Sequence, residues 1–292
     1  NSFSYRSSEA GLDVLSQFSP ETFGYNPAEA KRLFDLAYDA AVAAGDIQDG
    51  EMVTVEYKFY DVETNWQVAE WVKDTVEAIF NGGEASPIFE LELAGVSSAA
   101  LNDAWDNGDF EMTFGGWQGL SFDAPSMLGQ VYNSALPYML EVGFDTAGST
   151  VTVDLPNSKI ALTTWTSEFE TEFADFLALY NPYAELADPT AEQTTTYETA
   201  VAALADGLVP SDNALAAYLG RAALLALFDG DSLTTTYNEL FEYAYGPLYN
   251  AQDVNYAGKD DDFDAITATF EAEILRQMIA IPLFSSVSTT VY

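Results

Sequence analysis

The sequence predicts an α/β fold: a mixed sheet flanked by helices, with a helix-rich C-terminal half. Three observations carry this. Between Met52 and Tyr60, Val53, Val55, Tyr57 and Phe59 alternate with Thr54, Glu56 and Lys58, the period-two pattern of a strand with two distinct faces. On either side, Ala30, Leu33, Phe34, Ala37 and Ala41, then Trp66, Ala69, Val72, Val76, Ile79 and Phe80, recur at helical spacing. From 52 to 114 the pattern then runs strand, helix, strand, helix, strand, an order that implies parallel or mixed pairing under covering helices.

Taken in order, residues 1–24 read as irregular, rich in Ser, Gly and Pro with no sustained apolar period. A helix is expected over 26–44, with Asn26 as N-cap and Pro27 in the first turn, where its missing N–H costs nothing. A strand over 52–60 and a helix over 65–81 follow, the latter ended by Asn81-Gly82-Gly83. A strand over 87–94, a short helix over 97–107 and a strand over 110–115 complete a core αβ unit of about 25–125. Further on, 150–155 alternates like a strand. Helices are expected over 169–180, 197–208, 213–228, 233–245 and 263–278, forming a helical extension of about 165–280. A closing strand is expected at 282–284. No internal repeat or low-complexity linker interrupts the chain.

Composition removes whole classes of function. Against 9 Lys and Arg stand 47 Asp and Glu, a formal net charge of -38. Phosphate backbones require clustered cations, so nucleic acid is not an expected partner. Anionic lipid is repelled for the same reason. The acid is spread along the chain, as on a solvated, self-repelling surface, and salt is expected to stabilise the fold. The chain has no Cys and no His. Disulfides, Cys or His metal sites and His-based nucleophilic triads are therefore excluded.

The most informative stretch runs from Asp109 to Pro125. An alternating strand, Phe110-Glu111-Met112-Thr113-Phe114, stops at Gly115-Gly116-Trp117, with Gln118 next and Asp123-Ala124-Pro125 beyond. Two glycines let backbone approach a neighbour closely, and Trp117 offers a flat apolar face with one N–H donor. Trp117 is either the base of a ligand cleft or a core side chain at the sheet edge. Gly115 and Gly116 either present main-chain groups to an extended peptide or make a tight turn. Asp123 either holds a cationic ligand group or is one more surface carboxylate.

These residues resemble the C-terminal lobe of the family 5 extracellular solute-binding proteins, the oligopeptide, dipeptide and nickel class that serves ABC importers. Gly24-Tyr25-Asn26-Pro27-Ala28-Glu29-Ala30-Lys31-Arg32-Leu33 is similar to that family's "Y-[DN]-P-x-x-A-[KR]-x-L" helix. Trp66, Ala69, Glu70, Trp71 and Val72 are similar to its long-helix motif. Asp262-Phe263-Asp264-Ala265-Ile266 and the run from Glu271 to Phe284 are similar to its closing segment.

The resemblance covers roughly half the chain and implies a periplasmic-binding-protein-like lobe spanning 1–292. It implies no enzymatic activity and no cofactor. It further implies lobe closure on a peptide or similar solute, delivery to a membrane ABC permease, and an extracellular, lipid-anchored location at the cell surface. The N-terminal lobe of such a clamp is expected to lie outside this sequence. Gly115, Gly116, Trp117, Gln118 and Asp123 are the implied ligand-binding residues. Where the family places an Asp three residues after the Trp, this chain has Leu120. Asp123 is the candidate replacement.

Two other chemistries are compatible with so many acids. Asp260, Asp262, Asp264 and Glu271 match positions 1, 3, 5 and 12 of a calcium loop, but Ala265 stands where the turn requires Gly. The plainer reading is carboxylates at a helix start, where the dipole favours them, and no metal is expected. Paired carboxylates also suit a secreted glycosidase, although among 47 acids some pair always exists. An acidic surface or adhesion protein is the remaining alternative.

Overall fold

The computed structural model describes residues 5–18, 25–83, 87–114, 124–133, 144–184, 186, 188–202, 211–246 and 255–277. The chain divides into two compact units, one built chiefly on residues 12–131 and the other on 145–273. The α/β class and the helix-rich C-terminal half both stand: eleven helices and six strands are present among the described residues. The first helix, α1 (Glu9–Gln17), corrects the expectation that residues 1–24 are irregular.

In the first unit, α2 (Pro27–Ala44) starts where Asn26 accepts a hydrogen bond from the Glu29 amide (3.1 Å), with Pro27 in the first turn. It ends at Gly45, whose φ of 84° suits a residue without Cβ. Then follow β1 (Val53–Tyr60), α3 (Glu63–Asn81), β2 (Phe89–Val96), α4 (Ser98–Asn107) and β3 (Met112–Thr113). The strands are all parallel, in the order β2-β1-β3. Val53 stands opposite Phe89, and Tyr57 and Lys58 stand opposite Met112 and Thr113. The third strand is shorter than expected because Glu111 does not enter the ladder through its backbone. Its side chain instead accepts from the Glu56 amide (2.6 Å).

Alternation in β1 and β2 sorts the two faces. Tyr57, Phe59, Phe89 and Leu91 are buried with Ala69 and Val72 of α3. Phe34 of α2 stacks on Phe80 (4.6 Å) and meets Phe89 edge-on (5.6 Å). The other face carries Thr54, Glu56, Lys58, Glu90 and Glu92, exposed or half-exposed. There Lys58 pairs with Glu56 (3.0 Å) and donates to the Asp109 carbonyl (2.6 Å).

After α5 (Ala124–Tyr132) the second unit contains a separate antiparallel sheet of β4 (Thr150–Asp154), β5 (Phe228–Asp229) and β6 (Ser232–Thr236), in the order β4-β6-β5. Parallel and antiparallel pairings are thus kept in different sheets. Six helices accompany this sheet: α6 (Pro156–Glu172), α7 (Ala174–Ala184), α8 (Ala191–Ala202), α9 (Asp212–Leu225), α10 (Tyr237–Tyr245) and α11 (Lys259–Gln277). Their packing is aromatic. Phe169 stacks on Tyr218 (4.5 Å), and Arg221 lies over the Trp165 ring (4.2 Å). Tyr132 stacks on Phe270 (4.2 Å) and donates its hydroxyl to the Phe270 carbonyl (2.8 Å).

Two expected helices change character. The run 233–245 opens as β6 and becomes helical only at Tyr237, where Thr236 and Glu239 form a capping box. The helix expected over 169–180 is the end of α6 and most of α7, separated at Phe173. The closing strand at 282–284 lies outside the described residues.

Candidate ligand-binding edge

In a parallel αβ sheet every strand delivers its carboxyl end to one edge. From β1 the chain moves to β2 on one side. From β2 it crosses to β3 on the other side. The connections therefore diverge between β1 and β3, the kind of switch point beside which open α/β sheets bind ligands. The described residues at this edge are Tyr60 at the end of β1 and Asp61 after it, Ser97 after β2, and Thr113 of β3 with Phe114 after it.

Side chains from the two following helices fix that edge. Asn65 donates to the Tyr60 carbonyl (3.0 Å), and the Asp61 amide donates to the Val96 carbonyl (2.9 Å). The Trp66 indole N–H donates to Asp61 Oδ1 (2.7 Å). Its ring meets Phe59 edge-on (4.9 Å) and lies over Gly95, where a Cβ would come within 2.7 Å of it. Gly95 is thus required by close approach. Ser97 caps α4 by accepting from the Ala100 amide (3.3 Å), and Trp105 donates to Thr113 Oγ1 (3.0 Å). Phe114 extends the β3 pairing by donating to the Lys58 carbonyl (3.1 Å). Lys58 is held protonated, chiefly by its bond to Glu56 and further by the charge of Asp109.

What this edge offers is a fixed carboxylate and an exposed aromatic residue. The Asp61 carboxylate has one oxygen fixed by an indole, and the preceding residue, Tyr60, is 44% exposed. The hydroxyls of Ser97 and Thr113 are engaged in structural bonds, which suits them to positioning rather than to attack. Sequence reasoning singled out neither Tyr60 nor Asp61. The available signal was an aromatic-acid pair closing an alternating strand just before a helix. Trp66 was read as a helix-face residue and as part of the long-helix motif, not as a partner of Asp61.

The residues singled out from the sequence, Gly115, Gly116, Trp117, Gln118 and Asp123, lie outside the described residues. The calcium-loop candidates are described, and they do not converge. Asp260, Asp261 and Asp262 form the first turn of α11 rather than a loop. Asp262, 3% exposed, accepts from the Ser158 amide and from Asn157 Nδ2 (2.9 Å). It caps α6, whose own N-cap Leu155 has no capping side chain. Glu271 accepts from the Tyr5 hydroxyl (2.6 Å) and pairs with Arg6. Burial raises the Asp264 carboxyl, and neighbouring Asp260 and Asp261 push it the same way. Among the described residues no group of three or more acids is arranged to hold a metal ion.

No family model, curated protein or solved structure matches this chain. No helix among the described residues is long and apolar enough to cross a membrane.

Proposed function

We infer that this chain is the solute-capturing part of a peptide-type ABC importer, acting outside the cell and performing no chemistry of its own. In this reading the solute, an oligopeptide or a similar small molecule, binds at the carboxyl edge of β2-β1-β3. A lobe closing over it supplies the opposing wall, and the closed form docks on a membrane permease.

One observation carries the reading. Beside the switch point β3 pairs with the central strand through Met112 and Thr113, Phe114 donates to the Lys58 carbonyl, and Gly115-Gly116-Trp117 come next in the sequence. Two glycines leave main-chain donors and acceptors approachable by a peptide backbone, which recognises length and direction without selecting side chains. An indole face and the Tyr60 ring add apolar contact, and Asp61 adds a fixed acceptor for a cationic group. The Asn26-capped α2 and the Trp66-bearing α3 add support, since both follow the sequence motifs that resemble the solute-binding family.

Because this reading draws the opposing wall from a closing lobe, binding at this edge by itself is expected to be weak, on the order of a millimolar Kd. Backbone NMR during titration with a defined pool of tri- to pentapeptides tests the reading. The expected result is chemical-shift change centred on Tyr60, Asp61, Ser97, Thr113 and Phe114. No change at millimolar peptide, or change confined to the second unit, would overturn it.

A further inference from the structure

The parallel sheet has an edge that ought to be open, and it is closed in an unusual way. Among the described residues β2 is the outermost strand on its side of the sheet. Its inward groups pair with β1: the Ile88 carbonyl accepts from the Val53 amide (2.8 Å) and the Val96 carbonyl from the Asp61 amide (2.9 Å). The main-chain groups of the alternate residues Phe89, Leu91 and Leu93 therefore point away from β1. Such a row of donors and acceptors is a template for another strand.

Three side chains of α3 occupy it. Asn81 accepts from the amides of Ile88 and Phe89 (3.0 Å each) and donates to the Phe89 carbonyl (3.0 Å). Glu77 accepts from the Leu91 amide (2.9 Å). Lys73 donates to the Leu91 carbonyl (2.6 Å) and pairs with Glu77 (2.8 Å). Lys73, Glu77 and Asn81 are four residues apart, so they share one helix face. Four helical residues rise about 6 Å, close to the ~6.6 Å that separates outward-facing groups in a strand. The match lets Asn81 and Glu77, one turn apart, serve the successive outward residues Phe89 and Leu91, and Lys73 completes Leu91 at its carbonyl. Simple surface packing of a helix on a sheet does not require this, because the apolar face of α3 (Ala69, Val72) already supplies the packing.

We propose that Lys73, Glu77 and Asn81 act as a side-chain surrogate for a fourth strand and hold β2 out of edge-to-edge pairing with the β2 of a second copy of this chain. A second copy is the fitting occupant because antiparallel β2–β2 pairing about Leu91 is self-complementary. It sets Phe89 against Leu93 of the other copy on the apolar face. The same pairing sets Glu90 against Glu92 of the other copy on the wet face. Like-charge repulsion therefore opposes it until salt screens the acids. The surrogate strand and the acidic face are thus two separate barriers, one geometric and one electrostatic.

The test is the variant Lys73→Ala/Glu77→Ala/Asn81→Ala beside a control with Glu70→Ala/Asp74→Ala on the exposed side of the same helix. Light scattering coupled to size exclusion is expected to give a monomer for the parent and the control at all salt concentrations. The triple variant is expected to double in mass in molar salt. A folded triple variant that stays monomeric in molar salt would overturn the proposal. Should the triple variant not fold, Asn81→Ala alone decides by hydrogen exchange. The Phe89 amide is expected to exchange at least tenfold faster than in the parent while the Asp61 amide is unchanged. Equal Phe89 exchange in variant and parent would also overturn it.

Discussion

The two units solve the same problem of covering a three-stranded sheet with opposite means. In the first unit the cover is regular. Alternating strands turn Tyr57, Phe59, Phe89 and Leu91 to one side, and α3 lays Ala69 and Val72 on them. In the second unit the strands are short, and the core is a set of stacked rings, Phe169 on Tyr218 and Tyr132 on Phe270, joined by buried polar bonds. Ser158, 1% exposed, shares a hydrogen bond with the Tyr256 hydroxyl (2.8 Å), and Asp262 caps α6 from another helix. Regular alternation leaves the carboxyl edge of a sheet free for a ligand. Interlocking polar caps spend their functional groups on holding helices together. Under the proposed function, recognition falls to the first unit and the second serves as scaffold.

The largest expected effect sharpens that contrast. Phe59→Ala, at a fully buried site between Tyr57 and Trp66, is expected to cost about 3–5 kcal/mol in urea unfolding. Next comes Asp262→Ala, which strips the acceptor from the buried Ser158 amide and is expected to cost about 1–3 kcal/mol. If Asp262→Ala is instead neutral, the trans-cap is incidental and the scaffold argument for the second unit weakens.

Two titrating groups give smaller effects of opposite sign. Glu239 is held below the ordinary carboxylate range by its bonds to Thr235 first and then to Thr236. Its contribution is present above the unfolded-state value, near pH 4, and is lost as pH falls through the lower folded value. Glu239→Gln is expected to remove up to about 1 kcal/mol, the scale of a helix cap, at pH 7 and nothing once the parent carboxyl is protonated. Asp264 is shifted upward by burial. Its penalty is absent below the unfolded value and builds as pH rises through the raised folded value, so Asp264→Asn is expected to raise Tm slightly at pH 7 and not at pH 3. Thermal melts of both variants across pH 3–7 check the two signs together. The weakest test is global: Tm is expected to rise with salt, because 47 acids face 9 bases.

Legibility in the sequence follows the same divide. α2, β1, α3, β2 and α4 were readable to within a few residues because one-sided burial imposes a period and Asn26, Ser97, Gly45 and Gly108 punctuate it. β6 was not, since Ser232-Leu233-Thr234-Thr235-Thr236 is too short to show a period against the helical run after it. The Thr236-x-x-Glu239 box was the one local cue. α6 was missed over 156–168 because its start is capped by Asp262, more than a hundred residues away in sequence, and Pro156 in its first turn is the one local cue. At the candidate site, the strand leading to Gly115 was legible from alternation. Asp61 was not, because its meaning depends on the order β2-β1-β3, which places it beside the switch point.

The most direct test of the central claim is a comparison of peptide affinities, read by NMR titration, for the parent chain, Trp117→Ala, Asp61→Asn and Asp264→Asn. Trp117→Ala and Asp61→Asn are each expected to weaken binding about tenfold, roughly 1.4 kcal/mol, and Asp264→Asn to leave it unchanged. Equal affinities in all four proteins would contradict it.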